Sequence, residues 1–192
     1  MISQSAFPEE PWAVRETSLD LELLAQTESL FALGNGHIGL RGNLDEGEPF
    51  GLPGTYLGGF CEVRPLPVAE RAYGEPQVSE AVVNVTNGKV MRLLVDDESF
   101  DIRYGKLRSH ERVLDLRAGV LTRTAEWVSP TGRAVRVRTT RLVSFSQRAV
   151  AAIQYEVEPL EASLPVVVQS ELVANEPLPD PGEDPRAGAA PS

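Results

Sequence analysis

The stretch TRTAEWVSPTGRAVRVRTTRLV, Thr122–Val143, settles the fold class. Two runs, Thr122–Val128 and Ala134–Val143, flank Ser129-Pro130-Thr131-Gly132, residue types that set the backbone angles of a turn. The second run alternates Val135, Val137 and Thr139 with Arg136, Arg138 and Thr140, the two-residue period of a strand with one buried and one wet face. Downstream, Val150–Glu158 repeats the period, with Ile153, Tyr155 and Val157 set against Gln154, Glu156 and Glu158. Leu164–Leu172 carries Val166-Val167-Val168, the apolar run expected of a more central strand. Upstream, in AVVNVTNGKVMRLLV, Asn87-Gly88 offers the two positive-φ positions of a type I′ turn between Ala81–Thr86 and Lys89–Val95. The acidic triplet Asp96-Asp97-Glu98 reads as the tip of a hairpin. Six or more strands, short turns and no amphipathic helical stretch of ten or more residues predict an all-β fold, an antiparallel β-sandwich of two packed sheets.

This domain is expected over residues 1–176. From Pro177 to Ser192 the chain thins into five prolines among small and acidic residues, the composition of a linker or tail. A second irregular segment, Leu57–Ser79, contains Gly58-Gly59, three prolines, Phe60 and Tyr73. A loop of that length inside a compact domain is expected to serve function or to be held by a neighbour.

Charge narrows the partners. With 18 Lys and Arg against 28 Asp and Glu, net −10, neither a nucleic acid nor an anionic membrane is expected, and a neutral ligand fits better. The single cysteine, Cys61, excludes an intrachain disulfide and is read as packed rather than reactive. The N-terminal residues lack a basic segment followed by an apolar core, and no stretch approaches 18 apolar residues, so a cytoplasmic location is expected.

The glycine-rich run FALGNGHIGLRGN, Phe31–Asn43, contains G-x-G-x-x-G from Gly34 to Gly39. The residues after Gly39 cannot sustain a helix, so no helix N-terminus is available to cradle a phosphate, and the run reads as a sharp turn with close backbone approach. Nucleophile chemistry would need a histidine base beside Ser or Cys. The two histidines are His37, in the glycine-rich turn and able to face a ligand, and His110, read as a surface or hairpin residue. No His/Cys pair has metal-ligand spacing, and no metal is expected. Paired carboxylates could serve glycoside hydrolysis, but Glu28, Asp45, Glu46 and Glu48 each read as solvated surface and nothing in their spacing selects a pair.

TESLFALGNGHIGLRGN, TYLGGF, LDLRAGVLTRTAEWVSPTGRAVRVRTTRLVS and VVVQSELVAN, in that order, resemble the N-terminal domain of the family 65 glycoside hydrolases over about residues 12 to 176. The elements that carry the likeness are Glu28-Ser29, Gly34-Asn35-Gly36, Gly39 with Arg41-Gly42, Leu114-Asp115-Leu116, Gly119-Val120-Leu121 and Trp127. His37 departs from it, standing where an aromatic such as tyrosine is common. The resemblance implies a super-sandwich of the galactose-mutarotase type, preceding an (α/α)6 helical barrel that would hold the general acid and the phosphate site of an inverting maltose, trehalose or kojibiose phosphorylase or a related hydrolase. It therefore implies no catalytic residue in this chain, no cofactor beyond inorganic phosphate as a co-substrate if the parent is a phosphorylase, contact with a disaccharide only through the parent, and a possible homodimer. Asn35, His37 and Arg41 become candidates for the barrel-facing side, with Asn35 in left-handed geometry and Arg41 bonded to carbonyls or a carboxylate. Phe60 and Tyr73 become candidates for reaching the barrel or a second subunit. The competing reading is a stand-alone β-sandwich that binds carbohydrate or protein through a platform of exposed aromatics.

Overall fold

Alternating valines and arginines in Ala134–Val143 form the strand they predict. A computed structural model describes residues 6–49, 51–65, 74, 78–161 and 163–174. The first part of the chain gives β1 (Ala13–Glu16), a short 3-10 turn (Leu21–Leu23), α1 (Leu24–Leu30), β2 (Leu33–Gly34), β3 (Ile38–Leu40), β4 (Thr55–Leu57), β5 (Cys61–Pro65) and β6 (Val78–Val82). The second part gives β7 (Asn87–Val95), β8 (Glu98–Ser99), β9 (Lys106–Asp115), β10 (Val120–Val128), β11 (Ala134–Val143), β12 (Ala151–Pro159) and β13 (Val166–Val173).

A five-stranded antiparallel sheet in the order β1-β9-β10-β11-β12 makes one layer. The facing layer is divided between a sheet ordered β13-β7-β8 and a smaller one ordered β2-β3-β4. Two apolar clusters mark the interface. Leu93 and Val95 of β7 pack with Phe100 on Ala125, Trp127, Val135 and Val137 of the large sheet. Phe31, Leu33 and Leu40 pack on Leu114, Leu121 and Val143. Trp127 meets Phe100 edge-on, with ring centroids 5.3 Å apart, and its Nε1 donates to Tyr104 O at 2.7 Å, so the polar end of the largest core side chain is satisfied.

Three strand readings need correction. Asn87-Gly88 makes no turn: both residues lie inside β7, and Asn87 Oδ1 accepts instead from Lys89 N at 3.0 Å. Val78–Val82 pairs with β5 rather than with β7, so tertiary pairing overrides a local turn signal. The two-residue type I′ geometry belongs to Asp96 and Asp97, with φ of 50° and 69°, between the paired Val95 and Glu98, which bears out the hairpin tip read from the acidic triplet. The apolar β13 is an edge strand, paired only with β7 among the described residues, and its Val166, Val167 and Val168 are exposed. Cys61 is exposed rather than packed. The stretch 177–192 lies outside the described residues.

Because Trp127 is fully buried and joins the two layers, Trp127→Ala is expected to lower unfolding free energy by about 3–5 kcal/mol. Urea denaturation followed by far-ultraviolet circular dichroism measures this, and a loss under about 1 kcal/mol would show that the layers do not depend on it.

Candidate functional site

The glycine-rich run does turn the chain, and its two ends do different work. At its tip, Asn35 Oδ1 accepts from His37 N (2.8 Å) and Ile38 N (2.9 Å), while its Nδ2 donates to Ser144 O (2.6 Å) and Arg148 O (2.9 Å). The positive φ of this turn falls on Gly36, at 80°, rather than on Asn35, whose role is to staple the β2–β3 turn to the β11–β12 loop. Gly58 N donates to His37 O at 2.7 Å, and a Cβ at Gly58 would lie 2.6 Å from Gly36 O, so glycine is needed for the approach. Asn35, half-buried His37 and exposed Phe60 thus share one end of the domain with exposed Phe145. Tyr73 lies outside the described residues.

Arg41 sits elsewhere. Its Nη2 donates to Ala25 O at 2.7 Å and lies 3.7 Å from Glu28 Oε2, so it makes the carbonyl and carboxylate contacts expected of it, but at α1. Glu28 is fully buried and accepts from Gly51 N and Leu52 N at 3.0 Å. It is not a surface residue. Neither are Asp45 and Glu46, although Glu48 is exposed as expected. Asp45, Glu46 and Glu16 each answer an arginine on the inner face of the large sheet. Arg141 Nη2 donates to Asp45 Oδ1 at 2.6 Å, and Thr139 Oγ1 to Asp45 Oδ2 at 2.8 Å. Arg123 forks onto both oxygens of Glu46, with Nη2 to Oε1 at 2.8 Å. Arg112 Nε donates to Glu16 Oε2 at 2.6 Å, its Nη1 to Gly42 O at 3.0 Å, and its guanidinium lies over the Phe31 ring at 4.6 Å.

With Arg41 and Glu28, four guanidinium groups face four carboxylates in one buried layer, and the charges cancel. Burial alone would raise the Asp45 carboxyl, but Arg141 and Arg123 outweigh it and hold it below the ordinary range. His110 is buried within this layer, which corrects its reading as a surface residue. Its Nε2 accepts from Arg123 Nε at 3.1 Å, leaving the ring proton on Nδ1, which faces Glu16 at 3.7 Å. Burial, then the charges of Arg123 and Arg112, push the imidazole down to about 2, because a further proton would unbalance a neutral cluster.

This arrangement binds chain to chain. The carboxylates that could have formed a glycosidase pair are spent on guanidinium and backbone N–H groups, and none lines the cavity of about 850 Å³ that opens between β12 and β13. Among the described residues no group of three or more His, Cys, Asp or Glu is placed to hold a metal ion, and no helix is long and apolar enough to cross a membrane. Arg112, Arg123, Arg141 and Glu16 were missed as core residues.

The sequence model of the N-terminal domain of glycosyl hydrolase family 65 matches residues 14–192. The chain belongs to this family. It is 66% identical over 189 residues to an uncharacterized glycosyl hydrolase of Mycobacterium tuberculosis (strain ATCC 25618 / H37Rv), covering 98% of this chain and 24% of that protein. It is 33% identical over 187 residues to the alpha,alpha-trehalose phosphorylase of Thermoanaerobacter brockii, covering 95% and 24%. A solved structure titled as a putative kojibiose phosphorylase from the human microbiome superposes with a TM-score of 0.68 at 29% identity, over 79% of this chain and 20% of that one. The chain spans about a quarter of the length of these two curated relatives.

Two outcomes test the buried layer. Asp45→Asn is expected to cost about 3–5 kcal/mol in urea denaturation at pH 7, since it strips the carboxylate from Arg141 and leaves an unbalanced cation. His110 has a folded-state pKa below its unfolded value, so the stability it lends is full above about pH 6.5 and is lost as pH falls below that. Between pH 7 and pH 5 this amounts to roughly 2 kcal/mol, and His110→Gln, which keeps an acceptor for Arg123, is expected to remove that part of the pH slope. An unchanged slope in the variant would assign the pH dependence to other groups.

Proposed function

We propose that the chain is the non-catalytic N-terminal domain of an inverting enzyme that cleaves α-linked diglucosides by phosphorolysis or hydrolysis. The observation that carries this reading is the consumption of Glu28, Asp45 and Glu46 by internal partners, which leaves these carboxylates no free acid or base to offer a sugar. The family relatives named trehalose and kojibiose phosphorylases support the reaction class, and their length supports a catalytic region outside this chain. In such an enzyme an acid protonates the glycosidic oxygen while phosphate or activated water attacks the anomeric carbon from the opposite face. If the reaction is phosphorolysis, inorganic phosphate is a co-substrate, and neither reaction requires a resident cofactor.

The domain's part is support. The end formed by Asn35, His37 and Phe60 is the side we assign to the catalytic barrel. There the Asn35 staple and the Gly58 contact hold three chain segments as one body, so loops carrying exposed Phe60 and Phe145 are presented at fixed positions.

The test compares this 192-residue chain with the full-length product of its gene on a panel of α-linked diglucosides, with and without phosphate. Release of β-glucose 1-phosphate or of glucose by the longer protein alone is expected, and dependence on phosphate separates the two reactions. Turnover by the short chain would overturn the reading and return attention to Glu28, Asp45, Glu46 and His37.

A further inference from the structure

Pro11 and Trp12 make the tight turn ahead of β1, and Glu10 pairs with Ala13 across it as an antiparallel bridge. Trp12, the third residue of that turn, has a φ of 65°, a value that glycine or asparagine ordinarily supplies there and that is costly for a bulky side chain. Leu116 N donates to Trp12 O at 2.9 Å and ties the turn to the β9–β10 loop. Core packing does not explain the residue. Of the chain's two tryptophans, Trp127 is fully buried, whereas Trp12 is 59% exposed. A strained backbone that displays an indole to solvent is kept where the side chain has a task outside folding.

The indole walls an open cleft of about 410 Å³ whose lining includes Ala13, Arg15, Val113, Asp115 and Arg117. Ala13 lies opposite Asp115 and Arg15 opposite Val113, in alternation with the buried Glu16 and Leu114, so these four side chains are on the outer face of the large sheet. The cleft is therefore outside the arginine layer, and at the opposite edge of the sheet from β12. Its polar groups are only partly committed. The Arg117 guanidinium lies over the Trp12 ring, 5.1 Å from its centroid, and its side-chain N–H groups donate to no other group among the described residues. Asp115 Oδ1 accepts from Arg117 N at 2.8 Å and Ala118 N at 2.9 Å, which fixes the carboxylate and leaves Oδ2 with no donor among the described residues. Arg15, by contrast, is held by Glu10 and Glu111.

Charge and shape select the ligand. Arg15 and Arg117 stand against Glu10, Glu111 and Asp115, so the surroundings do not favour an anion, and the guanidinium over the ring repels a cation. A neutral molecule with a flat apolar face and groups that both donate and accept at its rim fits: the face covers indole surface, and the rim meets the donors of Arg117 and the acceptor of Asp115. A sugar ring has this form, with C–H bonds on its faces and hydroxyls around its edge. We propose that Trp12, Arg117 and Asp115 bind a neutral saccharide, with one sugar ring stacked on the indole and neighbouring hydroxyls bridging Arg117 and Asp115 Oδ2. That the sugar is an α-linked glucoside rests on the functional reading above, and the site would hold a glucan chain away from the catalytic region.

Native gel electrophoresis of the full-length gene product, in gels cast with soluble starch, with a β-linked glucan or with no glycan, tests this. Starch is expected to retard the protein, and Trp12→Gly to raise the apparent Kd for starch at least about tenfold, as loss of a stacked ring does. Because glycine suits a φ of 65°, the same substitution is expected to keep or raise Tm. Arg117→Ala, which keeps the ring, is expected to weaken retention by about threefold or more. Starch that fails to retard the protein, or that retards Trp12→Gly equally, would overturn the proposal. A fall in Tm of about 5 °C or more in Trp12→Gly would also overturn it, by showing that the indole packs against another part of the enzyme. Equal retention by the β-linked glucan would overturn the α-glucoside assignment. None of these readouts needs turnover, so Trp12-dependent retention in a protein inactive on every diglucoside would sink the functional reading alone.

Discussion

The fold depends on Arg141 and Arg123 in the large sheet holding Asp45 and Glu46 of the segment that follows the glycine-rich turn. Both guanidinium groups are buried on the face of β10 and β11 where an ordinary sandwich would carry only apolar side chains. A buried ion that loses its partner is far more damaging than a missing methyl group. The path of Arg41–Glu46 across the sheet is therefore dictated: its carbonyls and carboxylates must meet Arg112, Arg123 and Arg141 one by one. Once that segment is placed, α1 and the β2–β3 turn follow, the first through Arg41 and Glu28, the second through its continuity with Arg41. Gly42 lets the segment run against Phe31, since a Cβ there would lie 2.5 Å from Phe31 Cβ.

This use of charge also shapes what the domain can do. Four carboxylates in the interior of a family 65 chain invite a search for an acid–base pair, yet their partners fix them as structural anions, and the neutral His110 among them is held by its neighbours rather than poised to exchange protons. Among the described residues, the looped end around Asn35 and the outer edges of β12 and β13 are open to meet another surface. A domain built this way has its buried charges committed to its own shape and rigidity.

Much of the architecture was legible in period-two patterning. The Thr122–Val143 hairpin forms as read, with Val135 opposite Trp127 and Val137 opposite Ala125. The arginine layer was legible too, by phase: Arg141 falls in step with Val135, Val137 and Val143, and Arg123 with Leu121, Ala125 and Trp127, so both had to point inward. Residue type masked this, because arginine on a strand is ordinarily counted as its wet face. Asn87-Gly88 misled for the opposite reason, a strong local signal defeated by a partner strand remote in sequence. β13 misled because apolar content measures what a strand would bury, whereas its place in the sheet decides what it does bury. The glycine-rich turn was read correctly as a turn, but the conformational role given to Asn35 belongs to Gly36, and two of the four hydrogen bonds of Asn35 reach a loop more than a hundred residues away.

The separation between partners in the arginine layer imposes an order on biosynthesis. Asp45 and Arg141 are 96 positions apart, and Glu46 and Arg123 are 77 apart. At translation speeds of about 5–20 residues per second, Asp45 is on the growing chain for roughly 5–20 s before Arg141 is made. Throughout that interval Asp45 lacks Arg141 and remains hydrated. α1 and the glycine-rich turn, synthesised soon after β1, are among the last pieces of the domain whose final positions can be fixed.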